Sequence, residues 1–239
     1  MGYGSGRRLP PLFLPTDQWM DCRDDDRRYA AGRQIRERKE HLMSGPRIGI
    51  VPVTVFEQNC TLIWDEGDKR GAVIDPGGDV PRILEAIKQT EIEVEKILIT
   101  HGHIDHVGGA MELKDALGVE IIGPHEADRE LCENIESQAT MFGLEGSVRN
   151  MVPDRWLAEG DTVEAAGLTF EVLHCPGHAP GHVIFVNQAH KFAHVGDVLF
   201  RGSISRTDLP GGDHETLIAS IKEKVLPLGD EFQFICGHG

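Results

Sequence analysis

The 239-residue chain lacks several features that would each have placed it in a class of its own. No apolar run approaches the roughly 18 residues of a membrane-spanning helix, so no membrane partner is expected. Five cysteines occur (Cys22, Cys60, Cys132, Cys175 and Cys236), but they form no C-x-x-C pair, their number is odd and their spacings are wide. That argues against a disulfide framework or a structural zinc finger and for a reducing, cytoplasmic compartment. Cations are the minority, with 24 Lys and Arg against 39 Asp and Glu, for a net charge of -15. A surface built to neutralise phosphates is basic, so a nucleic-acid partner is disfavoured. The start of the chain is expected to make a poor secretory signal core. After Arg7 and Arg8, prolines interrupt the short apolar run Leu-Pro-Pro-Leu-Phe-Leu-Pro.

What the chain does have is length for one large domain or two small ones, and 40% hydrophobic residues to fill a core. It also has 12 histidines, most of them gathered in a few short motifs.

Residues 1–45 differ from the rest. Gly and Pro open them, a dense mixed-charge stretch runs from Asp21 to Glu40, and strand patterning is absent. A charged helix over 26–42 would have few apolar anchors, so the segment reads as a poorly ordered extension, with Met43 a candidate biological start. From residue 46 a single domain is expected to run to 239. Strand-like runs fall at 48–56, 60–65 and 71–75. Asp79 reads as the N-cap of a helix to about Gln89, with Pro81 in its first turn. A short apolar strand, Lys96 to Thr100, runs into His101. A helix over Val107–Leu117 closed by Gly118, a strand over 119–122 and a helix over 125–137 follow. Strands resume at 162–165, 168–174, 182–187 and 191–196, with turns at Ala166-Gly167 and Asn187-Gln188. Asp213 caps a helix to about Val225, and the strand Phe232–Cys236 delivers Gly237-His238. Periodicity alone supports α/β or α+β.

The central motif is Thr100-His101-Gly102-His103-Ile104-Asp105-His106. Three imidazoles and a carboxylate within six residues, just beyond an apolar strand, form a candidate metal site. Imidazole suits zinc and iron, and the carboxylate adds a hard anion. A solvated polar loop is the weaker alternative at this density. Three further pieces also lie just past strand ends, where loops gather into sites. These are His174-Cys175-Pro176-Gly177-His178-Ala179-Pro180-Gly181-His182, then Gly196-Asp197, then Cys236-Gly237-His238.

In the order His-x-His-x-Asp-His, His, Asp, His, residues 47–239 resemble the metallo-β-lactamase superfamily. Within it they are most similar to the short bacterial type of glyoxalase II, the hydroxyacylglutathione hydrolases. The supporting stretches are Val53 to Cys60, Ile74-Asp75-Pro76-Gly77-Gly78, Gln138 to Gly143, Asp154-Arg155-Trp156-Leu157 and Gly202 to Asp213. The resemblance implies an α+β fold, the αββα four-layer sandwich. It implies two divalent metal ions, zinc in the first place, with iron or manganese as substitutes. His101, His103 and His178 would hold one metal, Asp105, His106 and His238 the other, and Asp197 would bridge them. A water shared by two such ions is acidified towards a pKa of about 7 and attacks a carbonyl. Asp105 then has two roles, as ligand and as orienter of the attacking oxygen. The substrate implied is a small-molecule thioester such as S-D-lactoylglutathione, whose thiolate leaves with little help from an acid.

Other polar residues have blander readings. His182 is expected either to support the ligands from behind or to sit in the core, and His174 to be structural. Asp75 either steadies a ligand imidazole or closes an Asx turn, with equal weight. Cys175 and Cys236 are expected as buried structural thiols. His41, His125, His190 and His214 are expected at the surface or as caps, and Arg206 and Asp208 as an ion pair. The chain departs from the family pattern by ending at Gly239, so either a shortened C-terminus or a frayed second metal site is expected. Competing activities are a mononuclear iron persulfide dioxygenase and a lactone hydrolase. A β-lactamase is disfavoured because the commonest zinc enzymes of that kind carry cysteine where Asp197 stands.

Overall fold

The structure is a computed structural model that describes residues 45–143 and 148–239. The extension, its charged helix over 26–42, His41 and Met43 fall outside the described residues, apart from Gly45.

Alternation of apolar side chains along the strands determines the layers. Strands β1 (Arg47–Val53), β2 (Gln58–Trp64), β3 (Arg70–Ile74), β4 (Glu93–Leu98), β5 (Glu120–His125) and β6 (Arg155–Leu157) form one sheet in that order. Its first three strands pair antiparallel and its last three join in parallel. Strands β7 (Thr162–Ala165), β8 (Leu168–His174), β9 (Val183–Asn187), β10 (Phe192–Gly196) and β13 (Gln233–Cys236) form the second sheet, in the order β13-β10-β9-β8-β7. A small hairpin, β11 (Leu199–Phe200) with β12 (Ser203–Ile204), stands apart.

Successive strand residues point to opposite faces. Ile63, Ala72, Ile74, Leu98 and Ile122 therefore meet Phe170, Val172, Val183, Phe185 and Phe192 between the sheets. Their neighbours Leu62, Val73, Ile97 and Ile121 face the helices α1 (Val80–Thr90), α2 (Ile104–Val107), α3 (Ala110–Leu117), α4 (Arg129–Glu133) and α5 (Ile135–Phe142). On the far side, Ile184, Val186, Ala193 and Val195 pack on Leu217 of α6 (His214–Ser220) and on Ile221 and Val225. Three apolar interfaces thus separate four layers, αββα, as the resemblance implied.

Local departures have local causes. Asp79 stands at the head of α1 at φ 48° and makes no side-chain cap bond. Its carboxylate instead accepts from the Thr54 amide at 2.7 Å. The helix expected over 107–117 begins at Ile104 and breaks at Gly108-Gly109. There the chain presses on the Pro76-Gly77-Gly78 loop, and the Gly109 amide donates to Pro76 O at 2.9 Å. The helix expected over 125–137 is a 3-10 turn, Glu126–Asp128, followed by α4 and α5, which runs on to Phe142. The strand before it continues to His125. Beyond Asn187 the turn holds four residues, since Asn187 pairs with Phe192. Ala166 and Gly167 form the expected two-residue turn, both with positive φ. Asp213 caps α6 by accepting from the Thr216 amide at 2.7 Å, and the helix loosens into a π turn from Ile221 to Val225.

Candidate metal centre

Every candidate residue sits just beyond a strand or on the first turn of α2. Leu98 ends β4, and Thr100 leads into His101 and His103. α2 then turns Asp105 and His106 toward the same point. His178 follows β8, Asp197 follows β10, and His238 follows β13. β10 and β13 are parallel neighbours, so their ends arrive together, with the Gly237 amide donating to Gly196 O at 2.8 Å. Asn59 of β2 bonds the backbone on either side of Gly237. The Asn59 amide donates to Gly237 O at 2.8 Å, and the Asn59 side chain donates to Cys236 O at 3.1 Å.

All seven predicted residues converge. His101, His103 and His178 form one group of ligand atoms lying within 4.8 Å of one another, and Asp105, His106 and His238 form another. Asp197 lies between them. Its Oδ2 is 3.7 Å from His178 Nε2 and 3.5 Å from His238 Nε2, and its Oδ1 is 3.4 Å from His106 Nε2. His238 Nε2 stands 3.2 Å from Asp105 Oδ2.

Hydrogen bonds on the outer side of the His101, His106 and His178 rings fix which nitrogen faces inward. The Thr100 hydroxyl donates to Asp75 Oδ2 at 2.6 Å, so its oxygen is left to accept from His101 Nδ1–H at 3.0 Å. His106 Nδ1–H donates to Asp75 Oδ2 at 2.9 Å, and His178 Nδ1–H donates to Arg206 O at 2.8 Å. Asp75 thereby accepts from the imidazole of a candidate ligand, the first of its two expected roles. Its proximity to His101 and His106 is accounted for by these bonds and by the Thr100 amide, which donates to Asp75 Oδ1 at 2.8 Å. On the inner side, His101 Nε2, His106 Nε2 and Asp197 Oδ1 are buried without a hydrogen-bond partner. His103 Nδ1 and His178 Nε2 face each other at 3.0 Å. Buried polar atoms are seldom left unpaired, and orphans aimed at one point fit a cation there.

The charges agree. Burial, aided by neighbouring imidazoles, pushes His101 well below its usual range and His103 down to about 3, so both rings are neutral with a lone pair free. Burial would raise the Asp197 carboxyl, but His106 and the other rings hold it well below the usual range. Burial opposes charge on His106 too, yet the Asp197 and Asp105 carboxylates drive it well upward. Neutral imidazoles at His101 and His103, with ionised carboxylates that favour a positive charge at His106, suit a divalent cation that displaces the His106 proton.

Residues that sequence reasoning placed outside the site behave so. His182 Nε2 accepts from the Asp197 amide at 3.0 Å, and His174 bonds Pro180 O at 2.8 Å. His125 stacks on His174 and caps the turn after β5 by accepting from the Ala127 amide. Arg206 and Asp208 pair at 2.7 Å. Cys175 is fully buried, but Cys236 only partly. Three contributors were missed. Gln138 Oε1 accepts from the Ile104 amide at 3.0 Å, and its amide group donates to Gly102 O at 3.3 Å. Ser205 Oγ lies 2.9 Å from His178 Nδ1. Asp128 reaches two of the motif loops. Each acts through backbone or a ring edge; Gln138 and Ser205 lay in stretches that the resemblance marked, and Asp128 did not.

Over the centre opens a cavity of about 430 Å³. His103, Asp105, His178, Asp197 and His238 contribute to its lining, and Phe56, Ile104, Phe142, Phe200 and Ile204 give it apolar walls. Phe56 and Phe142 meet edge to face at 5.8 Å.

This fold and centre define a known class: the chain belongs to the metallo-beta-lactamase superfamily, whose family model matches residues 53–238. Among its relatives is the hydroxyacylglutathione hydrolase GloC of Haemophilus influenzae, 50% identical over 80% of this chain and 90% of its own. The probable metallo-hydrolase YqgX of Bacillus subtilis is 33% identical over 79% of this chain and 88% of its own. Of solved structures, TTHA1623 in a di-iron-bound form matches with a TM-score of 0.70 and 36% identity, over 80% of this chain and 91% of that one. The BLEG-1 B3 metallo-beta-lactamase matches with a TM-score of 0.74 and 32% identity over the same shares. The chain is a metal-dependent hydrolase.

Proposed function

We propose that this hydrolase is of the glyoxalase II type and uses two divalent metal ions to cleave an acyl-thioester such as S-D-lactoylglutathione. The observation that carries the reading is the pair of three-residue groups flanking Asp197 at the floor of one apolar-walled cavity. The 50% identical hydrolase supports the substrate class. His101, His103 and His178 would hold one ion, Asp105, His106 and His238 the other, and Asp197 would bridge them. Zinc is the first choice, although the nitrogen and oxygen ligand set also suits iron or manganese. When bound, the ions supply a water acidified to near neutrality and polarise the carbonyl that it attacks.

The remaining work falls to side chains. Asp105 is partly exposed to the cavity, and a carboxylate there orients the attacking water and accepts its proton. Asp75 and Thr100 keep His106 and His101 from rotating. Phe56, Phe142 and Phe200 bind apolar parts of the substrate and exclude bulk water. The leaving thiolate, with a thiol pKa of about 8.5, departs without a strong acid. No described helix is long and apolar enough to cross a membrane. The cytoplasm is part of the same proposal, supported by cysteines free of disulfides among the described residues.

Elemental analysis beside hydrolysis of S-D-lactoylglutathione tests the reading. Near two metals per chain and thioester cleavage, both lost in Asp197→Ala, are expected. One iron per chain with oxygen uptake and no thioester cleavage would overturn it.

A further inference from the structure

Asp128 closes the 3-10 turn ahead of α4, distant in sequence from every candidate ligand. It is fully buried, and its carboxylate partners are two backbone amides. Oδ2 accepts from Gly102 N at 2.8 Å, and Oδ1 accepts from Gly181 N. Gly102 separates His101 from His103. Gly181 lies in the loop that begins at His178 and ends at His182, the residue that accepts the Asp197 amide. Both glycines are required by the close approach of this turn. A Cβ on Gly181 would sit 2.5 Å from the Asp128 nitrogen, and one on Gly102 would sit 2.8 Å from Leu131 Cβ. Burying a carboxylate is costly, so one kept in this place for two amides needs a return beyond a turn cap.

We propose that Asp128 is a positioning residue of the metal centre. One carboxylate ties the His101–His103 loop to the His178–His182 loop and thereby sets the spacing of the three imidazoles that hold the first ion. Gln138 grips the same Gly102 by its carbonyl, so α4 and α5 with their leading turn brace the loop from outside. The inference rests on the reading of these imidazoles as metal ligands.

The test is zinc affinity of the metal-stripped full chain, by competition with a chromophoric chelator. Wild type is compared with Asp128→Ala, Asp128→Asn and the control Asp154→Asn. Asp154 is also a carboxylate on backbone, accepting from Ile121 N at 2.8 Å and from Lys114 at 2.6 Å, but it is not part of the centre. Asp128→Asn keeps the size and one carbonyl acceptor and decides the matter if Asp128→Ala does not fold. Expected is zinc binding weakened about 10- to 100-fold in Asp128→Asn with stoichiometry kept, the range for partners that orient metal ligands. Asp154→Asn should melt earlier yet bind zinc as wild type does. A folded Asp128→Asn with wild-type affinity, or an equal loss in Asp154→Asn, would overturn the proposal and leave the metal reading intact. Wild type that takes up no zinc would overturn both.

Discussion

His194 sits within β10 behind the metal centre, fully buried, with Nε2 3.2 Å from the Thr61 hydroxyl and Nδ1 unpaired. Burial pushes its pKa from 6.5 down to about 4, although the Asp75 carboxylate pulls the other way. Between those values the native state binds fewer protons at this ring than the unfolded chain does. The stability that the neutral ring confers is therefore complete above pH 6.5 and is lost as pH falls toward 4. Integrated from pH 7 to pH 5, the loss from this one group is about 2 kcal/mol. His194→Gln keeps a polar partner for Thr61 and removes the titration. Urea unfolding of both metal-stripped proteins at pH 5, 6 and 7 measures the difference. Wild type should lose about 2 kcal/mol more than the variant over that interval. His101 and His182, also depressed by burial, titrate in both proteins and cancel in the difference. Equal pH slopes would refute the reasoning.

Three further outcomes are expected. Asp75→Asn replaces one carboxylate oxygen by an NH2 donor, so the Thr100 amide, the Thr100 hydroxyl and His106 Nδ1–H compete for a single acceptor; zinc titration should show affinity down about 10- to 100-fold with the fold retained by circular dichroism. Gly77→Ala would place a Cβ 1.5 Å from the Asp105 carbonyl oxygen, a backbone clash that no rotamer relieves; soluble yield should fall and any folded fraction should bind less than the full metal complement. Phe142→Ala opens the cavity wall and removes the edge-to-face contact with Phe56, so KM for an acyl-thioester should rise several-fold while kcat holds within about twofold.

The candidate centre was legible in the sequence because metal chemistry restricts residue type. His101, His103, Asp105, His106, His178, Asp197 and His238 could be picked out by kind and by position after apolar strands, and all seven converge. Layering was legible in the resemblance alone, since strands such as β2 and β9 are buried on both faces and show no polar alternation. Less legible was anything decided by backbone meeting backbone. The break between α2 and α3 comes from the Pro76 carbonyl, and the failed cap at Asp79 comes from the Thr54 amide; both partners are remote in sequence. Asp128 escaped for the same reason, because an acid ahead of a helix looks like a cap until the fold brings Gly102 and Gly181 to it.

The candidate ligands are drawn from both sheets, and the last of them follows β13, the strand that completes the second. No half of the chain folded alone can assemble both groups, so contacts of very different sequence separation must close before the centre exists. A metal held there is linked to the finished fold and scarcely to the unfolded chain. At a free concentration one hundred times its Kd, it would add about 2.7 kcal/mol per site to global stability. Metal supply in the cell therefore acts on how long the protein survives as well as on how fast it works.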